Sequence, residues 1–263
     1  MGILPSTVVI VPCYNEAARL DPAAFTWALA RQPQLRFVFV DDGSTDATAQ
    51  VVEPLIAAAP DRAALLRLQR NSGKAEAVRA GIRHAAGLSP DVIGYWDADL
   101  ATPLGDIPTL AAAFEDPRVV LALGSRVRML GRDVRRAPLR HYIGRGFATI
   151  ASVVLKLPVY DTQCGAKLFR ATAATIALFD APFRLRWCFD VELIARFTTL
   201  PADYPYRDVV EVPVSQWVDR RGSKMTIRQA WRIVAEMSRM PAVIRSVTKD
   251  QPSTGSTGVS SSF

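Results

Sequence analysis

A chain of 263 residues, 49% hydrophobic and 22% charged, carries enough apolar material for one large domain or two small ones, which excludes the disordered class. Its 32 Lys plus Arg against 25 Asp plus Glu leave a net charge of +7, a balance that suits nucleic acid, an anionic membrane surface or phosphorylated small molecules. Cys13, Cys164 and Cys188 lack disulfide or metal-ligand spacing and fit a reducing, cytosolic compartment. Met1–Cys13 does not read as a signal peptide, and no stretch reaches the roughly 18 apolar residues needed to cross a membrane.

The first half alternates two kinds of segment. "TVVIVP", "RFVFVDD", "ALLRLQR", "DVIGYWDAD" and "VVLALGSR" are short, apolar and bounded by turn chemistry, and predict strands. Between them, Glu16 to Ala30, Ser44 to Ala59, Lys74 to Ala86 and Asp106 to Phe114 have helical character. Strands alternating with helices predict an α/β fold with a mainly parallel, Rossmann-like sheet flanked by helices. The second half is less regular. An arginine-rich stretch (Arg126, Arg128, Arg132, Arg135, Arg136, Arg140, Arg145) precedes a short apolar helix at Gly146 to Leu155. A helix over Ala171 to Leu178, an amphipathic helix around Phe189, Leu193 and Phe197, a strand "VVEVPVSQW" and a final helix from Ile227 to Met240 complete the series. The organisation expected is a ligand-binding half over 1–125, a second half over 126–245, and a Ser/Thr/Gly-rich flexible tail over 246–263.

In parallel sheets, ligands bind beyond the carboxyl ends of the strands. The polar groups fall there: Asn15 and Glu16 after the first strand, Asp41 and Asp42 after the second, Asn71 to Lys74 after the third, Asp97 and Asp99 after the fourth. Four polar strand ends predict one site. Asp97 and Asp99 in "DAD" could hold a hard divalent cation while leaving positions for a diphosphate, or could simply cap the helix after Pro103. Asp42 could accept a hydrogen bond from a nucleotide base, or belong to an ordinary strand–helix turn. "RNSGKAEAV" is not a phosphate loop of the Walker type, because Ala75 stands where Ser or Thr is required; it offers Lys74 near a helix start, facing an anion or solvent.

The ordered set "VVIVPCYNEAARL", "FVFVDDGSTDAT", "NSGKAEAVRAGI" and "YWDADLATP" resembles the family 2 glycosyltransferases with the GT-A fold. "LALGSR", "DTQCGAKLFR", "RWCFDVELI" and "WVDRRGSKM" resemble the branch that glucosylates dolichyl and polyprenyl phosphates. The resemblance implies a UDP-sugar donor, Mg²⁺ or Mn²⁺, and a polyprenyl-phosphate acceptor. It places Pro12, Tyr14, Asn15 and Glu16 along the nucleotide, Asp42 on the base and Lys74 on the nucleotide side. Asp97 would lie near ribose and metal, Asp99 would be the principal metal ligand, and Ser223 and Lys224 stand in place within "WVDRRGSKM", where Asp219 departs mildly from the branch's usual glutamate. Ala101, where mannosyl relatives carry glutamine, suits the glucose branch. Arg126 and Arg140 would meet the acceptor phosphate, and Trp187, Asp190 and Glu192 would flank sugar and acceptor.

The expected reaction is therefore an inverting transfer of glucose from UDP-glucose to a polyprenyl phosphate, giving a β-linked product. The enzyme would work in the cytoplasm, bound peripherally to the inner face of an anionic membrane through the Gly146–Leu155 helix and its arginines, with no nucleic-acid partner. Alternatives keep the fold but use GDP-mannose, another UDP-hexose or a hydroxyl acceptor; the last needs a base such as Asp190, Glu192 or Asp161. A DxD phosphatase is the remote alternative, and Ala101 stands where that motif wants Thr or Val.

Overall fold

The computed structural model describes residues 4–135, 138–201, 204–205, 208–218 and 227–249. Asp219, Ser223, Lys224 and the tail beyond Lys249 lie outside the described residues, as does the side chain of Arg140.

β-Branched and aromatic runs form β1 (Thr7–Cys13), β2 (Leu35–Asp41), β3 (Ala63–Arg67), β4 (Val92–Trp96) and β5 (Val119–Ser125). Interleaved with them are α1 (Pro22–Arg31), α2 (Thr48–Ala58), α3 (Lys74–Ala86) and α4 (Ile107–Ala111), the last flanked by single 3₁₀ turns. Then come β6 (Asp133–Arg135), α5 (Pro138–Leu155), β7 (Ala166–Arg170), α6 (Ala173–Ala177), α7 (Phe189–Phe197), β8 (Asp208–Pro213), β9 (Gln216–Val218) and α8 (Ile227–Lys249). The main sheet has the order β3-β2-β1-β4-β7-β5-β8, and all neighbours are parallel except β7, which runs antiparallel to both β4 and β5. β6 and β9 pair separately.

Both sheet faces are covered, so the central strands are apolar on both sides. One face packs against Val78 and Ile82 of α3, Phe189 and Leu193 of α7, and Met240 and Ile244 of α8. The other receives Phe25 of α1, Val52 of α2 and Leu110 of α4; the Phe25 ring meets Phe37 and Phe39 edge-on at 5.1 and 4.9 Å.

Several expected boundaries move for identifiable reasons. The first helix begins at Pro22 rather than Glu16, because the Asp21 carboxylate accepts the amides of Ala23 and Ala24 as an N-cap. This frees residues 14–20 to form a loop at the mouth of the sheet. The apolar helix expected from Gly146 starts eight residues earlier, at Pro138. "VVEVPVSQW" is two strands in two sheets: between them the Val214 amide donates to Ser125 O and the Ser215 amide to Asp106 Oδ2. α8 continues through Pro241 to Lys249, four residues into the stretch expected to be tail. β7 lies within "DTQCGAKLFR", for which no strand was expected, and it joins the two halves of the sheet.

Candidate active site

A cleft of roughly 240 Å³ opens at the carboxyl ends of β1, β2 and β4, lined by Pro12, Cys13, Tyr14, Glu16, Asp42, Lys74, Ala77, Asp97, Ala98 and Asp99. Seven of the sequence-derived site residues are thus brought together: Pro12, Tyr14, Glu16, Asp42, Lys74, Asp97 and Asp99. Asn15 is not among the lining residues. Its side chain latches the loop after β1 to the loop after β2: Asn15 Oδ1 accepts the Thr45 amide at 2.9 Å, and the Asn15 amide donates to Ser44 Oγ at 3.0 Å. Glu16 N–H to Thr48 Oγ1 and Ala17 N–H to Asp46 Oδ2 extend the latch, so "GSTDAT" works as a clasp on "YNEA".

Asp42 is buried at the base of the cleft, and its two oxygens accept the Ser72 and Gly73 amides at 2.8 and 2.7 Å. Burial raises its carboxyl above the ordinary value, against the lowering effect of those two bonds and of Arg186. Gly73 takes φ 95°, a conformation few side chains tolerate, and so starts α3 with its amide turned toward Asp42. The next residue is Lys74, whose Nζ reaches Asp97 Oδ1 at 2.5 Å and lies over the rings of Tyr95 and Phe189. Burial alone would depress the Lys74 ammonium; Asp97 and then Asp190 outweigh it and hold the group above its usual range.

Asp97 and Asp99 follow β4 in a turn fixed at several points. Trp96 Nε1 donates to Thr102 O, Ala101 N donates to Asp99 Oδ1, and Leu100 adopts φ 52°, an uncommon conformation for a branched side chain. The negative charge here exceeds what the protein neutralises. Burial and then the neighbouring Asp97 raise the Asp99 carboxyl. Burial, together with Asp99 and Asp97, raises Glu16 despite its 2.5 Å pair with Arg19, and Glu16 Oε2 is buried with no hydrogen-bond partner. Among the described residues no three Asp, Glu, His or Cys side chains converge tightly enough to make a complete metal site. The donor set fits a hard cation that takes one or two carboxylates from the protein and its other oxygens from water and a diphosphate.

The acceptor-side residues behave differently. Asp190, expected to be catalytic, does not line the cleft. It is 4% exposed, and its Oδ1 accepts from Lys167 Nζ at 2.5 Å and from the Tyr95 hydroxyl. Burial and the charge of Asp190 push the Tyr95 hydroxyl well above its usual range. Glu192 is fully buried, taking the Arg184 and Leu185 amides and the Arg196 guanidinium. Arg126 forms a two-pronged pair with Asp161 (2.6 and 2.8 Å) and lies over the Trp217 ring, and Glu211 in turn accepts the Tyr160 and Asp161 amides. Burial would lower the Arg126 guanidinium, but Asp161 more than offsets it. Trp187 is 43% exposed, edge-on to Phe147, on a loop whose amides at residues 186–188 all donate to Glu236 of α8. Glu236 had no signal in the sequence; one acid in an amphipathic helix is indistinguishable from a solvated charge.

The fold and cleft define a GT-A domain, and residues 8–175 match the model of glycosyl transferase family 2; the chain belongs to that family. Among curated proteins it is 33% identical over 234 residues to dolichyl-phosphate beta-glucosyltransferase ALG5C of Trichomonas vaginalis, covering 84% of this chain and 66% of that protein. It is 32% identical over 241 residues to the human dolichyl-phosphate beta-glucosyltransferase, covering 85% and 70%. The chain thus spans about two thirds of the length of these relatives. Among solved structures, glucosyl-3-phosphoglycerate synthase of Mycobacterium tuberculosis with Mn²⁺ and UDP-glucose superposes with a TM-score of 0.65 at 15% identity, over 95% of this chain and 81% of that one. Mannosyltransferase PcManGT of Pyrobaculum calidifontis with GDP-mannose and Mn²⁺ gives 0.60 at 22% identity, over 94% and 65%.

Proposed function

We propose that this protein transfers glucose from UDP-glucose to a polyprenyl phosphate of the dolichyl type, with inversion, to give a β-linked lipid-phosphate sugar. The names of the curated relatives support the glucosyl and dolichyl-phosphate parts of this reading. The cleft supports the donor part. Tyr14 and Asp42 would take the uracil end, Asp97 the ribose, and Asp99 with Asp97 a divalent cation, Mg²⁺ or Mn²⁺; that cation supplies charge neutralisation for the departing diphosphate.

The observation that carries the acceptor class is the state of the three candidate bases. Asp161, Asp190 and Glu192 are each held by a cation: the half-buried Arg126 and the buried Lys167 and Arg196. A hydroxyl nucleophile needs a free carboxylate to take its proton. A phosphate monoester is already ionised and needs only placement and compensating charge, so this arrangement favours it. In this reading Arg126, which spends Nε and Nη2 on Asp161 and keeps Nη1, stands with Arg140 and Lys224 as the cationic groups for the acceptor and the diphosphate, with Asp190 acting behind Lys74 rather than on substrate.

No helix among the described residues is long and apolar enough to cross a membrane. α5 exposes Ile150 and Val153 between Arg145 and Lys156, and we place this face against the acyl–headgroup boundary of an anionic membrane, at its inner side. The test is a donor panel with short-chain polyprenyl phosphate and Mn²⁺ or Mg²⁺. Transfer from UDP-glucose above GDP-mannose and other UDP-hexoses is expected; transfer from none of them by a folded protein overturns the proposal.

A further inference from the structure

We infer that Gly165 is a positioning residue for the donor site: the side chain it lacks is what allows the Asp97 carboxylate to lie against the start of β7, beside Asp99 and within reach of Lys74. This rests on the reading of the cleft as a donor–metal site. β4 and β7 are antiparallel with Trp96 opposite Ala166, so the next pair along is Asp97 opposite Gly165, and the Asp97 amide donates to Gly165 O at 2.8 Å. A Cβ built on Gly165 would fall within 2.5 Å of Asp97 Oδ2, Cγ and Oδ1, far inside the 3.5–4 Å at which non-bonded atoms settle. Those three carboxylate atoms are the nearest heavy atoms to that position.

The backbone does not ask for glycine here. Gly43, Gly73 and Gly131 take positive φ; Gly165 does not. Gly94, three pairs further into the sheet, has a different reason, since its Cβ would come within 2.8 Å of three backbone atoms of Lys167 and Leu168. Glycine at 94 lets two strands approach, whereas glycine at 165 makes room for one carboxylate. With any side chain at 165, the Asp97 carboxylate must turn away, breaking its contact with Lys74 and leaving Asp99 without its neighbour. In antiparallel pairs opposite side chains stand on one face of the sheet, so there is no route by which the strand itself absorbs the conflict.

The test is a cycle of Gly165→Ala, Asp97→Ala and the double variant, read by calorimetric UDP binding in Mn²⁺ and by thermal unfolding without ligand. Gly165→Ala should weaken UDP binding on the order of tenfold or more. The double variant should bind no worse than Asp97→Ala alone, because glycine acts only through that carboxylate. If Gly165→Ala also lowers the unfolding midpoint, Asp97→Ala should restore it, while Gly94→Ala should stay destabilised whatever occupies 97. UDP binding by Gly165→Ala equal to the parent, additive losses in the cycle, or a folding defect that Asp97→Ala does not relieve would each overturn the inference. Failure of the parent to bind UDP with Mn²⁺ would instead sink the donor-site reading, and the unfolding arm would still decide the Gly165–Asp97 relation.

Discussion

The two halves of the sheet treat charge in opposite ways. At the ends of β1, β2 and β4 the carboxylates of Glu16, Asp42, Asp97 and Asp99 face one cleft, burial and then Asp97 raise the Asp99 carboxyl, burial with both aspartates raises Glu16, and Glu16 Oε2 has no partner. From β5 onward three carboxylates are each closed on a cation: Asp161 on Arg126, Asp190 on Lys167, Glu192 on Arg196. Charge that the protein leaves uncompensated at an opening is what the proposed donor and cation would complete. Charge compensated in the interior holds the architecture, and its worth is measured by what breaking it costs.

That contrast can be attacked from either side. The largest effect expected is on the open half: Asp99→Ala should cut glucosyl transfer by about a hundredfold or more while the unfolding midpoint stays within a degree or two of the parent, since one metal-side donor is lost and no packing is. Equal losses of activity and midpoint would show Asp99 to be structural. On the closed half, Lys167→Met strands a buried Asp190 and should destabilise the fold by about 3–5 kcal/mol, with Lys167→Met/Asp190→Leu recovering much of the loss; denaturant unfolding measures both. Little change in the single variant would place Asp190 in contact with water and return it to the list of candidate bases. A smaller effect is expected at Arg126→Lys, where a point charge replaces a fork on Asp161 and about 1.5–3 kcal/mol of charged hydrogen bonding is weakened. The last test leaves both activity and stability untouched and reads only a thiol. Burial, then Glu236 and Asp190, push the Cys188 thiol up to about 12. Its neutral form is therefore the stable one throughout the working range. At pH 8 alkylation of Cys188 in the native protein should run about a thousandfold slower than in the unfolded chain; rapid native labelling would mean that the 186–188 loop opens readily from Glu236.

The open half was legible in the sequence and the closed half largely was not. A parallel sheet puts its ligand at strand ends, so a polar residue directly after an apolar run announces itself; Asp42, Asp97 and Asp99 stand in such places and line the cleft, Lys74 joins them from the start of a helix, and α3 appears with the expected bounds Lys74–Ala86. Asn15 shows the limit of that logic, because a strand-end amide can equally be spent tying two loops together. Asp190 looks like a candidate base because its partner is remote: Lys167 is 23 residues away and lies on β7, a strand whose buried lysine disguises it. Glu192 is closed by Arg196 one turn along its own helix, a pairing that shows only once that face of the helix is buried. Nothing in "DTQCGAKLFR" marks Gly165, since a glycine shows what it makes room for only when the opposing strand is in place. The helix Gly146–Leu155 was sound in type but short by eight residues, its first turns being arginine-rich and apolar by turns.

The central claim, that the cleft at the ends of β1, β2 and β4 is a nucleotide-sugar site completed by a divalent cation, meets its most direct test in a calorimetric titration of UDP into the parent protein with and without Mn²⁺. Saturable one-to-one binding that appears with the metal and disappears on chelation is the predicted result. Binding of equal strength in the absence of metal, or none in its presence, would contradict the account.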